Sequence, residues 1–181
     1  MMNNLNLHNR HPKDLPDKET IEDILLELKD THKFNIKWVN LDNMSWRANN
    51  KVFDNWLEKG EVVISDRFFD SSVAYQGAGR VLSPAEVARI SRWATESLTP
   101  TLTIIKDLPA EVGLARLQST DRLESEPLAF HERVRHEYLN LAYQDPERFL
   151  LVDATLSIEQ IHQIIIERVG LIKALKRNQK N

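Results

Sequence analysis

Asp66 and Arg67 stand together at the end of the apolar run Val62-Val63-Ile64-Ser65. A buried strand that runs straight into such a pair places both residues at its carboxyl end, where open α/β sheets bind ligands. Arg67 offers a planar fork matched to phosphate oxygens. The adjacent Asp66 suits Mg²⁺ or its water shell. Ser72 and Gln76 follow at a spacing of four, so on a helical turn they share a face. Together they could hydrogen-bond the donor and acceptor edge of a base. Taken alone, the same residues also fit an Asp–Arg pair at a strand end followed by a polar helix face.

The elements around them read as α/β. Short apolar runs alternate with segments of helical period, the pattern of βαβ units with a parallel sheet. The expected strands are Leu5–His8, Glu61–Ser65, Leu102–Ile105 and Phe149–Val152. Ile21, Ile24, Leu25 and Leu28 form one apolar stripe at helical spacing. A second helix is expected over Trp46 to Leu57, stopped by Gly60 at the C′ position. Ser83-Pro84-Ala85-Glu86 is a capping box with Pro at the first helical position, opening a helix through Val87, Ile90 and Ala94. Pro109 starts a short helix to about Gln118, and Pro127 heads a long one through Phe130, Val134 and Leu141. Ser157-Ile158-Glu159-Gln160 caps the last, whose stripe is Ile161, Ile164, Ile165 and Val169. Trp38, Trp46, Trp56 and Trp93 are expected in the core or lining a groove.

Composition narrows the chemistry. The 181 residues carry five glycines, at positions 60, 77, 79, 113 and 170. Average usage would give about a dozen. Residues 1–59 contain none, and no stretch spells GxxxxGK[ST] or GxGxxG, so neither common phosphate cradle is written in these residues. Zero Cys removes disulfides and thiol chemistry, and suits a cytoplasmic setting. No apolar run approaches the length of a membrane helix, and the first residues lack a signal peptide's apolar core. A net charge of −3 gives no electrostatic case for nucleic-acid binding. The six histidines show no ligand spacing for a zinc site. With no repeat or linker, residues 1–181 are expected to form one domain with a solvated basic tail at 171–181.

The run Asp66-Arg67-Phe68-Phe69-Asp70-Ser71-Ser72-Val73-Ala74-Tyr75-Gln76-Gly77-Ala78-Gly79-Arg80 resembles the thymidylate kinase signature DR[YF]xDSSxAYQGxGR. The likeness continues through Trp93-Ala94-Thr95, Asp107-Leu108-Pro109, Asp121-Arg122-Leu123-Glu124, Phe130-His131-Glu132-Arg133-Val134-Arg135 and Val152-Asp153-Ala154, in family order over residues 52–170. The resemblance implies a P-loop kinase-like fold, a three-layer arrangement of parallel sheet flanked by helices. It implies transfer of the γ-phosphoryl of ATP onto dTMP with Mg²⁺, and a possible homodimer. By motif position Arg67 would grip the dTMP phosphate, and Asp66 would sit by the metal and the transferring group. Ser72 and Gln76 would read the thymine, with Tyr75 against the sugar. Residues 116–125 would be a short lid over ATP, with Arg116 and Arg122 facing it and Arg122 a candidate for the transferring phosphoryl, whose charge is met by positioned cations.

Upstream the pattern departs from the family. Arg10-His11-Pro12-Lys13-Asp14-Leu15-Pro16 falls where the family has Arg-Glu-Pro-Gly-Gly-Thr-Pro, so Arg10 is the matching substrate residue and 1–16 the remnant of the second strand and this segment. Glu22 stands for an Arg near the substrate phosphate, which costs attraction. Arg47 is a candidate for the family's thymine-contacting Arg, about two residues out of register. The chain is therefore expected to begin at the family's second strand, without the first strand, P-loop and first helix. The first strand is central in the family's sheet order, so the sheet is expected to be incomplete, with inner edges at Val62 and Leu102 lacking a partner. The chain is then expected to be either a truncated product or one read from a misplaced start codon, or else to close the gap by pairing those edges directly or borrowing a strand. Functionally this leaves a dTMP kinase by lineage or, alternatively, an inactive dTMP/nucleotide-binding module or truncated remnant.

Overall fold

A computed structural model describes residues 36–40, 53–116, 123 and 125–178, together with Lys29. The expected strand Leu5–His8 and the stripe at 21–28 lie outside them. Strand β1 (Ile36–Asn40) pairs in parallel with β2 (Val62–Asp66), Trp38 opposite Ile64 and Asn40 opposite Asp66. Strand β3 (Thr103–Asp107) pairs in parallel with β4 (Phe149–Asp153), Asp107 opposite Asp153. Among the described residues these are two separate two-stranded sheets. The expectation of α/β architecture with parallel strands is met. β1 was not among the expected strands, because its five residues Ile-Lys-Trp-Val-Asn mix apolar and polar side chains without a clean run.

Residues 53–58 are helical and end in a Schellman motif. Gly60 N–H donates to the Leu57 carbonyl at 2.9 Å and Glu61 N–H to that of Trp56 at 3.0 Å. Gly60 adopts φ 73°, a conformation glycine reaches without steric cost, as its position after the helical pattern predicts. The signature run then forms helix α1 (Phe69–Ser72), which continues as a π-helical stretch over Val73–Gly79. Helix α2 spans Pro84–Ala94, α3 Ala110–Ala115, α4 Leu128–Gln144 and α5 Ile158–Asn178.

Helix α2 corrects one expectation. Its N-cap is as read, with Ser83 Oγ accepting from Glu86 N–H at 3.4 Å. Its packed side, however, is the small-residue face of Val87, Ala88, Ser91 and Ala94, while Ile90 is 56% and Trp93 71% exposed. Small side chains let the helix approach the π-helical stretch closely. A Cβ added at Gly77 would stand 3.0 Å from the Pro84 Cα. Trp93 is thus a surface residue rather than core; Trp56 is half-buried, Trp46 and the side chain of Trp38 lie outside the described residues.

Two apolar clusters hold the rest. Ala74, Phe130 and Val134 are buried together, with Tyr75, Leu123 and Tyr138 packed around them, so α4 lies against the π-helical stretch. Val152, Ile161 and Ile165 form the second cluster, with Leu150, Ile164 and Val169 alongside, seating α5 on β4. The predicted stripe of α5 is therefore its buried face. Its N-terminus carries a reciprocal capping box: Ser157 Oγ accepts from Gln160 N–H at 3.3 Å, and Ser157 N–H donates to Gln160 Oε1 at 3.0 Å. Ser157→Ala is expected to cost about 1 kcal/mol, read as a lowered urea midpoint with an unchanged m-value.

Candidate functional site

The site is built at the carboxyl end of β2. Asp66 is the last residue of the strand, and Arg67 turns the chain with φ 64°. A left-handed conformation in a side-chain-bearing residue costs roughly 1–2 kcal/mol and is retained where the surroundings fix it. Ser65 helps to fix it, its Oγ donating to the Arg67 carbonyl at 2.7 Å. The turn leaves Arg67 exposed and lays its guanidinium over the Tyr75 ring, 4.8 Å from the centroid.

The residues expected to read a base follow on this turn. Ser72 closes α1 and is half-buried; Gln76 lies in the π-helical stretch and is exposed. π-Helical turns are rare and concentrate at functional sites. Behind them, Tyr75 meets Tyr138 edge-to-face at 6.4 Å and tilts against Phe130 at 6.1 Å. Tyr138 donates its hydroxyl to Ser71 Oγ at 2.9 Å. Burial pushes the Tyr138 phenol up to about 12, so it stays a protonated donor at neutral pH. Tyr75, expected against a sugar, has one ring face taken by Arg67.

Three charged residues of the same region turn out to hold the framework. Asp70, only 3% exposed, accepts a fork from Arg148: Nη1 to Oδ2 at 2.8 Å and Nη2 to Oδ1 at 3.0 Å. Thr103 Oγ1 adds a bond to Asp70 Oδ2 at 3.3 Å, and Asp145 accepts from Arg148 Nε at 3.1 Å. The Arg148 guanidinium lies 4.0 Å from the Phe149 ring centroid. The first acidic residue after Arg67 in the signature is thus a structural anchor. The one sequence signal for it is a charge set among the apolar side chains of Phe68, Phe69 and Val73.

At the ends of β3 and β4, Asp107 and Asp153 are register neighbours, and both are engaged. Arg135 forks onto Asp107 at 2.7 and 2.8 Å. Thr155 donates its N–H and Oγ–H to Asp153 at 2.8 and 2.7 Å, which holds that carboxyl below its usual range. An open cleft of about 360 Å³ lies between Gly79–Val81 and the start of α4, away from Arg67, Ser72 and Gln76. Its cations are also engaged: Arg80 pairs with Glu126 at 2.7 Å, and Arg133 donates to the Ala78 and Gly79 carbonyls. Of the expected lid, Arg116 is exposed at the end of α3. Arg122, Arg10 and Arg47 lie outside the described residues.

A family model described as Thymidylate kinase matches residues 3–165. The chain belongs to the thymidylate kinase family. Among curated relatives, the thymidylate kinase of Enterococcus faecalis is 49% identical over 121 residues, 62% of this chain and 57% of the relative. That of Leifsonia xyli subsp. xyli is 56% identical over 109 residues, 58% and 51% of the two chains. That of Clavibacter michiganensis subsp. michiganensis is 50% identical over 122 residues, 65% and 58%. The chain thus spans about half the length of the curated relatives it matches. Its α/β architecture with short parallel sheets agrees with the P-loop kinase fold that the thymidylate kinase family implies. No helix among the described residues is long and apolar enough to cross a membrane.

Proposed function

We propose that this thymidylate kinase family chain takes dTMP at the end of β2, as the acceptor half of the reaction ATP + dTMP → ADP + dTDP. The observation that carries the reading is Arg67, an exposed residue at a strand's carboxyl end on a left-handed backbone, its guanidinium held against the Tyr75 ring. It would hold the 5′-phosphate by a charge-assisted fork. Ser72 and Gln76 would meet the thymine edge. Mg²⁺ fits this site: among the described residues no three His, Cys, Asp or Glu converge, but Mg²⁺ needs only one or two carboxylates beside phosphates and waters. Asp66 would supply that carboxylate, and the ion would neutralise charge on the donor phosphates. Arg116 and Arg122 would face ATP.

The donor side is a separate matter. These 181 residues contain no GxxxxGK[ST], and phosphoryl transfer depends almost wholly on positioning and charge stabilisation. We infer that the described residues hold neither the family's central strand nor its phosphate loop; in support, β2 pairs only with β1 and β3 only with β4 among them. This chain alone is therefore expected to bind dTMP without forming dTDP. Calorimetry decides: dTMP should bind, and Arg67→Ala should weaken it roughly 10- to 100-fold, as for a hydrogen bond to a charged group. A folded chain that binds no dTMP would refute the reading. Formation of dTDP with ATP and Mg²⁺ would refute the second half of it.

A further inference from the structure

We propose that Tyr75 is the positioning residue of Arg67. Its ring face fixes the guanidinium over the end of β2 before a ligand arrives, and Tyr75 acts on the phosphate through Arg67. The inference rests on the reading that a nucleoside monophosphate binds at Arg67.

The geometry is that of a supported platform. The guanidinium lies 4.8 Å from the Tyr75 centroid, well within cation–π range. The platform is braced from two directions, by the Phe130 ring at 6.1 Å and by the Tyr138 ring edge-to-face at 6.4 Å. Tyr138 is itself tied to Ser71 by its hydroxyl at 2.9 Å, and Ser71 sits four residues past Arg67 on the same turn. The Arg67 backbone is fixed at the other end by Ser65. A free arginine side chain has many rotamers to lose on binding. One already stacked on a fixed ring loses fewer, which is affinity gained by preorganisation. A direct contact of Tyr75 with the sugar, by contrast, would act on nucleoside and nucleotide alike.

That difference supplies the test. Binding of dTMP and of thymidine, which lacks the phosphate, is measured for the 181-residue chain and for Tyr75→Leu, Tyr75→Phe, Arg67→Ala and the Arg67→Ala/Tyr75→Leu double variant. Tyr75→Leu is expected to weaken dTMP about tenfold, as loss of a cation–π contact does, and to leave thymidine unchanged. Tyr75→Phe, which keeps the ring, should recover most of the dTMP affinity that Tyr75→Leu loses. The double variant should bind no worse than Arg67→Ala. Equal weakening of both ligands by Tyr75→Leu, or a further loss in the double variant, overturns the proposal.

A ligand-free readout covers a Leu variant that does not fold. The Arg67 Nε–Hε resonance, assigned by its loss in Arg67→Ala, should be displaced upfield by the Tyr75 ring current and stay so in Tyr75→Phe. An undisplaced resonance overturns the proposal whatever binds. A displaced resonance in a chain that binds neither dTMP nor thymidine keeps Arg67 on its platform and removes the monophosphate reading, and with it the role in phosphate binding.

Discussion

Arg148→Ala is expected to lower folding stability by about 3–5 kcal/mol, the range for stripping one partner from a buried ion pair. The size follows from what is left behind. Asp70 is 3% exposed and would keep only the Thr103 hydroxyl at 3.3 Å, losing both arms of the guanidinium fork. The Arg148 side chain is itself 14% exposed, so water reaches the vacated place poorly. The stranded carboxylate would face the Phe69 and Phe149 rings over which Arg148 now lies. Arg148→Lys should recover only part of the loss, because an ammonium cannot form the fork. The double change Asp70→Leu/Arg148→Met, which removes both charges, should be more stable than Arg148→Ala. Urea denaturation of the three variants measures this. A loss under about 1 kcal/mol in Arg148→Ala would mean the pair is screened like an exposed one.

The same pair has a consequence for the site. Asp70 stands three residues after Arg67, at the start of α1, while Arg148 immediately precedes β4 and Thr103 opens β3. β2 and β3 share no backbone ladder among the described residues. The Asp70–Arg148–Thr103 bonds therefore tie the turn that carries Arg67 to the other sheet. Stability of the framework and placement of Arg67 are one network, which explains why Asp70 faces inward.

Much of this architecture was legible in local sequence. The capping boxes at Ser83 and Ser157, the stop at Gly60 and the stripe Ile161-Ile164-Ile165-Val169 depend on residues within a turn or two of one another, where spacing alone fixes geometry. The strands of the Val62, Leu102 and Phe149 runs were legible too, apart from a residue or two at their ends. What escaped is long-range. Nothing near Asp70 names Arg148, 78 residues away, and nothing near Tyr75 names Tyr138. The exposed Ile90 and Trp93 failed for a related reason: an apolar stripe marks a buried face only when the neighbour is not itself demanding small residues, and α2 meets Gly77. In the site, Arg67 and its place at a strand end were read from sequence, but its left-handed backbone and its seat on Tyr75 were not. The π-helical register of Val73–Gly79 was also invisible, since Ser72 and Gln76 at a spacing of four suggest an ordinary α-turn.

Gly79→Ala is expected to cost about 3 kcal/mol, the upper end for one added carbon in a packed core. The reason is contact with stiff neighbours. A Cβ at Gly79 would lie 2.8 Å from Phe130 Cε2, 3.2 Å from Phe130 Cζ and 2.9 Å from Val134 Cγ2. Phe130 and Val134 are 2% and 5% exposed, and a helical Val has essentially one χ1 rotamer. Neither can swing aside, so α4 itself would have to retreat from the π-helical stretch. That movement would pull Phe130 from Tyr75, and it would strain the two carbonyl bonds by which Arg133 holds Ala78 and Gly79. A compensating deletion should therefore repair it. Val134→Ala, destabilising alone, is expected to be less costly in the Gly79→Ala background by about 1 kcal/mol or more, the non-additivity of residues in contact. A strictly additive double variant would show that the added methyl is absorbed elsewhere. If dTMP binds as proposed, Gly79→Ala should also weaken it and the double variant should regain it, because the Phe130 brace behind Tyr75 moves with α4.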